Sequence, residues 1–386
     1  MRDVFIIGVG QLKVEKEGGY SLKELGGNAV KLALENASSP RVDALYVGNM
    51  LSGIVKNQQQ LGSLIAGSAG LVGVAALGVE AACASGGAAL HLGTLAIRSG
   101  LYDCVVVCGL EQMSRSTKEQ IAHGLATASD WESEGSAGMT FISLNAKLMQ
   151  AYMDYYGVTH DVFSGFGVNA HHNAMTNPYA LFRKAISSVD YLSAKIVEAP
   201  LCLYDVCPVC DGAAALVLAS TDLLKTMPAG QPCARVLASS VVTDTLALNK
   251  RANLHLLNAV RRSSELAYKQ AKMGPSDIHL FELHDAYSVI STLSLEGAGF
   301  AEPGQGVELA RSGEIGLKGR VPISTFGGLK ARGHPVGATG VYQCIEVFLQ
   351  VTHQAKENQV PDAKIGMCQN IGGIGSTVVT HIVEGM

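Results

Sequence analysis

One order of strands and helices occurs twice in this chain, and that repetition constrains its fold more than any other feature of the sequence. For the first half, apolar runs and helical periodicity predict strand 3–10, helix 22–36, strand 42–47, a glycine-rich turn at Cys83 with a helix ending near Ser99, strand 104–108 and strand 213–218. The second half repeats this order with strand 234–240, helix 259–273, strand 278–282, a glycine-rich turn at His334 with helix 339–353, strand 365–368 and strand 376–382. We infer an internal duplication in which the His334 turn corresponds to the Cys83 turn.

The duplication predicts two α/β halves, residues 1–225 and 233–386. With 386 residues the chain is long enough for both, and 44 glycines with only 16% charged residues favour a compact α/β protein with many tight turns. The segment from about 112 to 201 has no counterpart in the second half and is richer in polar residues. We expect it to be an inserted loop domain that shapes the substrate pocket.

The composition excludes several classes of partner and compartment. A formal net charge of -4 gives no reason to expect nucleic acid. The apolar run at residues 4–10 is too short for a signal sequence, and no run of about 18 apolar residues predicts a membrane span. Nine scattered cysteines, an odd number, favour free thiols rather than disulfides. We therefore expect a cytoplasmic protein.

Cys83 is the candidate nucleophile. It lies at the start of a predicted helix, where unpaired backbone N–H groups and the helix dipole favour the thiolate. Ala84, Ser85, Gly86 and Gly87 follow, and such small residues let a substrate or another backbone approach closely. The alternative is a buried cysteine at a helix start, surrounded by small packing residues.

His334 is the candidate base. Gly333 and Pro335 flank it and hold its ring on a loop rather than in a core. A neutral imidazole beside a thiol is the usual way to activate that thiol. Because the duplication relates the Cys83 and His334 turns by a pseudo-twofold axis, both turns can face one cleft. The alternative is an ordinary surface or core histidine.

Two further strand ends carry chemistry. His284 ends an apolar strand, where open α/β sheets place their binding loops, so we expect it to bind an oxyanion or act as a base. Its alternative is a helix-start residue beside the N-cap Asp285. Cys368 ends another strand, just before a loop with Asn370, Gly372 and Gly373 whose backbone N–H groups can bind an oxyanion. Cys368 is either a second catalytic thiol or a structural cysteine.

Other histidines and cysteines do not predict a metal site. Cys202, Cys207 and Cys210 lie close together, but no histidine stands at ligand spacing and the segment runs into a buried strand. His171 and His172 are expected to be an exposed pair on a helix of the insertion. We expect no metal in this protein.

Taken together, these motifs resemble the thiolase family over essentially the whole chain. The motifs that carry the resemblance are Cys83-Ala84-Ser85, His284-Asp285-Ala286-Tyr287, Gly333-His334-Pro335 and Gly372-Gly373-Ile374-Gly375. Degradative and biosynthetic thiolases usually have Asn-Glu-Ala-Phe in the second of these loops. The His-Asp form is similar to sterol-carrier-protein-type thiolases and to the short archaeal-type acetyl-CoA acetyltransferases.

The resemblance implies a five-layered αβαβα thiolase fold, a homodimer or a dimer of dimers, and no permanently bound cofactor, with CoA and acyl-CoA as substrates. It implies that Cys83 takes the acyl group, that His334 activates Cys83, and that His284 helps to bind the thioester oxygen. The backbone N–H of Cys83 and one N–H of the Gly372-Gly373 loop would form a second oxyanion hole. Common thiolases add a second cysteine as acid/base in this last loop. Here Cys368 is the nearby cysteine, with Asn370 as the alternative polar contact.

The activity that follows from the resemblance is acyl transfer between CoA thioesters by Claisen condensation or its thiolytic reverse. In its simplest form two acetyl-CoA give acetoacetyl-CoA and CoA. One alternative is a thiolase that cleaves a bulkier aromatic or branched β-ketoacyl-CoA, with a small zinc-ribbon and OB-fold partner protein, or a partnership with 3-hydroxy-3-methylglutaryl-CoA synthase. The others are a decarboxylating ketoacyl synthase and a non-catalytic acyl-CoA-binding subunit.

Overall fold

The computed structural model describes residues 2–386. The strands are β1 (Val4–Gln11), β2 (Ala44–Gly48), β3 (Ala75–Val79), β4 (Cys104–Gln112), β5 (Ile196–Glu198), β6 (Leu201–Cys202), β7 (Asp211–Ser220), β8 (Ala234–Thr243), β9 (Leu280–Glu282), β10 (Ile365–Gly372) and β11 (Thr377–Gly385). The helices are α1 (Leu22–Asn36), α2 (Ser52–Val55), α3 (Leu61–Ala69), α4 (Ser85–Arg98), α5 (Lys118–Ala126), α6 (Phe141–Tyr156), α7 (Ser164–Ala174), α8 (Ser188–Leu192), α9 (Thr221–Leu224), α10 (Asn258–Ala271), α11 (Ser288–Gly297), α12 (Gly306–Arg311) and α13 (Thr339–Val351).

Nine strands form one mixed sheet in the order β3-β2-β4-β7-β1-β8-β11-β10-β9. Its middle junction is narrow, because β1 and β8 pair only at Phe5 with Arg235 and Ile6 with Ala234. Moving outward from that junction, β1-β7-β4-β2 and β8-β11-β10-β9 have the same sequence of antiparallel, antiparallel and parallel pairings. The two halves of the sheet thus share one topology.

Alternating side chains along the strands build a layered core. In β1, Val4 and Ile6 enter one apolar cluster while Phe5 and Ile7 enter another, as the period of two in a strand requires. Helices α1 and α3 cover the outer face of the first half, and α10 and α11 cover the outer face of the second. Helices α4 and α13 lie between the two half-sheets. The result is a five-layered αβαβα arrangement, the fold class expected from the sequence.

The elements predicted for the duplicated core are confirmed, with ends that shift by a few residues. Helix α1 has the predicted bounds because Ser21 and Glu24 form a capping box, in which the Glu24 carboxylate accepts from the Ser21 N–H at 2.9 Å. Helix α3 and strand β3 were not predicted. Strand β3 is a short run of mostly small residues at the sheet edge and is partly exposed, so it lacks the buried apolar pattern of the other strands.

The segment between β4 and β7 contains helices α5 to α8 and the hairpin β5-β6. Helices α6 and α7 pack into the same apolar cluster as α11, next to the second half of the sheet. Within residues 2–386, none of the helices combines the length and the apolar character needed to cross a bilayer.

Candidate active site

The structure brings Cys83, His284 and His334 together. One side-chain atom from each, the Cys83 Sγ and a ring nitrogen of each histidine, lie within 4.8 Å of one another. The two imidazole rings meet edge to face, with centroids 4.9 Å apart and planes at 86°. All three side chains are buried. The three residues come from separate segments of the chain, and they form one compact group at the ends of β9, α4 and α13.

A strained turn presents Cys83 just before α4. Ala82 has a φ of 51°, in the left-handed region that a non-glycine residue rarely adopts. Ser85 holds the turn, since its hydroxyl donates to the Ala82 carbonyl and accepts from the Ala81 N–H at 2.9 Å. Burial raises the pKa of the Cys83 thiol well above its ordinary value, and the charges of Cys207 and Glu111 add to this. Burial thus outweighs the effect of the helix start that the sequence suggested, and it favours the thiol over the thiolate.

His334 is fixed by its own loop. Gly333 has a φ of 114°, and a Cβ there would lie 2.6 Å from Val14 Cγ1, so only glycine fits beside the histidine. The His334 Nδ1 lies 2.7 Å from the hydroxyl of Thr339, the first residue of α13. This bond leaves Nε2 as the ring nitrogen available to Cys83. Burial, the neighbouring His284 and Arg332 lower the His334 pKa well below its ordinary value, so the ring is a neutral base.

The hydrogen bonds of Asn370 define the tautomer of His284. The Gly87 N–H donates to Asn370 Oδ1 at 3.1 Å, so the other end of the amide, the Nδ2 donor, faces His284. Asn370 Nδ2 lies 3.2 Å from His284 Nδ1, which must therefore accept the bond. The His284 proton then lies on Nε2, and burial lowers the pKa of the ring to about 3. His284 is a neutral imidazole that offers an N–H donor to the cluster.

Glycines let the loops approach one another. A Cβ on Gly86 would lie 2.8 Å from the Gly337 carbonyl oxygen, and one on Gly340 would lie 2.3 Å from the Gly87 nitrogen. A Cβ on Gly372 would lie 2.3 Å from the Ala81 carbonyl oxygen, so the terminal glycine-rich loop packs directly on the Cys83 turn. The close packing of α4, α13 and this loop places the Gly372-Gly373 backbone beside Cys83, as expected from the sequence.

Cys368 does not join this group. Its thiol lies beside that of Cys344 in the apolar cluster between the two half-sheets, whereas Cys83 belongs to a different cluster with Met50 and Val336. Cys368 and Asn370 point to the same face of β10, but Cys368 lies opposite Glu282, before the strand end that carries His284, whereas Asn370 lies two residues further on and reaches His284. Of the alternatives for Cys368, the structural cysteine fits its surroundings. Asn370 makes the polar contact in this loop.

Glu111 was missed by the sequence reasoning. Its fully buried carboxylate accepts from the N–H groups of Met50 at 3.0 Å and Gly337 at 3.2 Å, and from Asn49 Nδ2 at 2.9 Å. Burial raises its pKa to about 7. Glu111 joins the loop after β2 to the turn that follows His334, so it positions the catalytic loop. In the sequence, Glu111 is an isolated acidic residue at the end of an apolar strand, and no motif around it indicates a contact with the His334 loop.

Arg332 and Glu346 form a buried ion pair directly behind the site. Arg332 Nε lies 2.7 Å from Glu346 Oε1, with the two side chains 0% and 2% exposed. The Arg332 guanidinium also lies 4.9 Å from the centroid of the Tyr342 ring. Its positive charge lowers the pKa of both His284 and His334, although burial is the larger cause. The pair therefore helps to keep the two imidazoles neutral.

The three clustered cysteines do not share one site. Cys202 lies with His160 and Asp205, and Cys207 lies beside Ala286. Cys210 lies next to Gly333, where an added Cβ would be 3.1 Å from the Cys210 Sγ. Within residues 2–386 the groups with metal-ligand geometry are the catalytic cluster and the set of His160, Cys202 and Asp205. In the second set the Asp205 carboxylate is already occupied, because it accepts from the Cys202 N–H and from the Tyr191 hydroxyl and pairs with His160.

The expectation for His171 was wrong. His172 is exposed, but His171 is only 7% exposed, since it faces inward from α7. Its Nδ1 lies 3.1 Å from the Lys184 carbonyl oxygen, and its ring stacks on Phe182 at a centroid distance of 6.0 Å. Adjacent residues on a helix point about 100° apart, so one of such a pair can be buried while the other is exposed.

The arrangement supports nucleophilic acyl transfer. A buried thiol lies next to a neutral imidazole that can take its proton, and a second imidazole presents an N–H donor to the same point. Donors preorganised around a developing oxyanion in a buried site stabilise it strongly. The same three atoms also have a spacing that could hold a metal ion.

Two family models together match nearly the whole chain. The model described as the thiolase N-terminal domain matches residues 4–222, and the one described as thiolase C-terminal domain-like matches residues 240–385. The chain is 39% identical to an acetyl-CoA acetyltransferase of Methanothermobacter thermautotrophicus, an alignment that covers 99% of both chains.

More distant relatives cover a similar length. The chain is 31% identical to benzoylsuccinyl-CoA thiolase subunit BbsB of Thauera aromatica, over 96% of this chain and 95% of that one. It is 30% identical to sterol carrier protein 2 of Homo sapiens, over 98% of this chain and 72% of that one. A solved Ltp2-ChsH2(DUF35) aldolase has the same fold, with a TM-score of 0.85 at 22% identity over 98% of this chain and 97% of that one.

Proposed function

Because this chain belongs to the thiolase family, we propose that it is an acyl-CoA:acetyl-CoA C-acyltransferase that works through an acyl group carried on Cys83. In its simplest form it converts two acetyl-CoA into acetoacetyl-CoA and CoA, or catalyses the reverse. The full-length identity to an archaeal acetyl-CoA acetyltransferase supports acetyl-CoA as the substrate. CoA and acyl-CoA enter as substrates, and the chemistry uses side chains of the protein rather than a bound cofactor.

The geometry supports the following roles. His334 takes the proton of the Cys83 thiol as the sulfur attacks the thioester carbonyl of acetyl-CoA. His284 donates its Nε2–H to the thioester oxygen, a role that the Asn370 hydrogen bond makes available. The backbone N–H groups of Cys83 and of the Gly372-Gly373 loop serve as the second oxyanion hole, for the acyl group carried on Cys83. CoA leaves, and the acyl-enzyme remains.

The observation that carries this proposal is the meeting of Cys83, His284 and His334 within 4.8 Å from three separate segments. The test is intact-protein mass spectrometry after brief incubation with acetyl-CoA. The wild-type mass should rise by one acetyl group located on Cys83, and the Cys83→Ala protein should gain none and form no acetoacetyl-CoA. An active Cys83→Ala protein, or a wild-type enzyme that is active without acetylation of Cys83, would refute the mechanism.

A second candidate is cleavage of a bulkier β-ketoacyl-CoA. The identity to a benzoylsuccinyl-CoA thiolase subunit over nearly the full length favours it, since that relative is named for an aromatic substrate and as a subunit. In this case we propose a small partner protein with a zinc ribbon and an OB fold, or association with 3-hydroxy-3-methylglutaryl-CoA synthase. Thiolysis rates with acetoacetyl-CoA and with an aromatic β-ketoacyl-CoA compare the two candidates. A kcat/KM at least tenfold higher for the aromatic substrate selects the second.

We also propose that the active protein is a homodimer. Strand β3 lies at an edge of the nine-stranded sheet and is partly exposed. Leu77 within this strand is 60% exposed, and Val72 just before it is 87% exposed. An open edge with exposed apolar residues is suited to pairing with a second copy. Light scattering at micromolar concentration should give twice the chain mass, and Leu77→Lys should reduce it to one chain.

Two further assignments belong to the proposal. We propose that residues 1–225 and 233–386 are the two halves of a duplicated unit, with residues 112–201 as an insertion, and the shared strand topology supports this division. We also assign the protein to the cytoplasm. All nine cysteines are free thiols, as is usual in a reducing compartment.

A further inference from the structure

Condensation requires a group that the Cys83 cluster does not supply. Forming the carbon–carbon bond means removing an α-proton from acetyl-CoA, while Cys83 is occupied by the acyl group. His334 holds the proton that came from Cys83, and His284 Nδ1 is already bonded to Asn370. Cys368, the thiol expected to do this from the sequence, lies in the core beside Cys344. A further acid/base must lie close to the cluster.

Cys207 lies beside the His284 loop. Its N–H donates to the Ala286 carbonyl oxygen at 3.0 Å, and the preceding Val206 forms an antiparallel bridge with Tyr287. In such a short ladder Cys207 stands opposite Ala286, where cross-strand Cβ atoms are ~5 Å apart. Ala286 follows His284 by two residues. The Cys207 thiol also packs against the apolar cluster that contains Ala286 and Tyr287.

Cys207 shares the electrostatic environment of the nucleophile. Its charge raises the pKa of Cys83 and also that of Tyr287, although burial is the larger cause in both cases. Of the nine cysteines, only Cys207 and Cys233 are partly exposed. Cys207 is thus partly open to solvent, whereas Cys83 is buried.

Lys330 is a buried cation close to Cys207 that can stabilise a Cys207 thiolate. Lys330 is only 2% exposed, and its ammonium donates to the Asp205 carbonyl oxygen, two residues before Cys207. Burial lowers the pKa of Lys330, and the charges of Asp205 and Asp285 act in the opposite direction, but within residues 2–386 no carboxylate lies within salt-bridge distance of Lys330. Burial raises the pKa of Cys207 to about 12, and the charge of Lys330 acts in the opposite direction. Negative charge on the Cys207 sulfur would add to the effect of Asp205 and Asp285 in stabilising the Lys330 ammonium.

We propose that Cys207 is the second acid/base of the reaction, acting on the α-carbon and on the CoA sulfur. This inference rests on the proposed acyl-enzyme at Cys83. In the first half-reaction the Cys83 proton passes to His334, the Cys83 sulfur displaces CoA from the acetyl group, and Cys207 gives its proton to the departing CoA sulfur. Cys207 is left as a thiolate beside Lys330.

In the second half-reaction that thiolate removes an α-proton from the next acetyl-CoA. The resulting carbanion attacks the carbonyl of the acetyl-Cys83 thioester, the carbon–carbon bond forms, and the carbon–sulfur bond to Cys83 breaks. Cys83 leaves as a thiolate and recovers its proton from His334. Cys207 is again a thiol, so each half-reaction balances in protons and the enzyme returns to its starting state.

The test separates acylation from α-proton removal. Wild-type, Cys207→Ala, Cys207→Ser and, as a matched control at the other partly exposed thiol, Cys233→Ala are given acetyl-CoA with a trideuterated methyl group. Mass spectrometry follows acetylation of Cys83, loss of deuterium from acetyl-CoA to water, and formation of acetoacetyl-CoA. Melting curves check that each variant is folded.

Both Cys207 variants should acetylate Cys83 within about tenfold of wild type, because free CoA thiolate is a competent leaving group without proton donation. Deuterium loss and condensation should each fall by ~10²–10⁴, the usual contribution of a general acid/base. Serine preserves size but not acidity, so a merely structural thiol predicts an active Cys207→Ser enzyme. If either Cys207 variant keeps deuterium loss and condensation within tenfold of wild type, Cys207 is not the base. If wild-type Cys83 is never acetylated, the proposed function itself fails instead.

Discussion

Replacing Gly340 by alanine tests whether the packing of α4 on α13 holds the active site together. Gly340 is the second residue of α13, and a Cβ there would lie 2.3 Å from both Asn370 Oδ1 and the Gly87 nitrogen. Ordinary contacts at a Cβ begin at 3.4 Å, so each of these atoms must withdraw by about 1 Å. Neither is the free end of a flexible side chain, since Asn370 is held on one side by Gly87 and on the other by His284.

Two opposing terms set the effect on stability. Overpacking a close-packed interior costs about 1–3 kcal/mol, whereas alanine in place of glycine in a helix gains about 0.5–1 kcal/mol. The net expected loss in the free energy of unfolding is therefore about 1 kcal/mol, within a range of about 0–2.5 kcal/mol. The larger effect is on catalysis. When Asn370 moves, His284 loses the bond that holds its proton on Nε2, and a misplacement of about 1 Å typically costs about a hundredfold in rate.

The assay compares Gly340→Ala with Gly67→Ala as a matched control. Gly67 lies in α3, and a Cβ there would meet no atom within 4 Å. The control should keep full thiolysis activity and gain about 0.5 kcal/mol in urea unfolding at a fixed protein concentration. Gly340→Ala should lower kcat/KM by about a hundredfold while remaining folded. A Gly340→Ala enzyme as active as the control would show that Asn370 does not position His284.

Two other predictions concern buried charges. Arg332→Met should lower the free energy of unfolding by about 3–5 kcal/mol because it leaves Glu346 buried without a counter-charge. In urea unfolding, the double variant Arg332→Met/Glu346→Met should regain most of this loss. Equal stabilities of the single and double variants would contradict this. Burial lowers the pKa of His160, but hydrogen bonds to Asp205 and Cys202 outweigh it and raise the pKa to about 9. The ordinary histidine pKa is ~6.5. The contribution of the His160–Asp205 pair to stability is therefore complete below pH ~6.5 and is lost as the pH rises through 9. The stability advantage of wild type over His160→Phe should thus shrink between pH 6.5 and 9, and an advantage that stays constant or grows over that range would refute the pairing.

Much of the fold could be predicted because the spacing of apolar residues and the capping and turn residues indicate most of the strands and helices. The bounds of α1 follow from Ser21 and from the apolar spacing along the helix. Strand β3 could not be predicted, since Ala75–Val79 is short, partly exposed and not marked by alternation. The repeated order of elements was also visible, and it correctly indicated that Cys83 and His334 could meet.

The residues that can perform the chemistry are recognisable in the amino-acid sequence. Cys83, His284 and His334 are recognisable because each lies next to glycines, a proline or the end of a strand. These features depend only on neighbouring residues in the sequence. The groups that support this chemistry became visible in the folded chain. Cys368 lies in the core opposite Glu282, whereas Asn370 lies further along β10 and reaches His284, and a short ladder brings Cys207 opposite Ala286. Register, burial and the charge of a distant Lys330 depend on segments far apart in the chain, so no local pattern could reveal them.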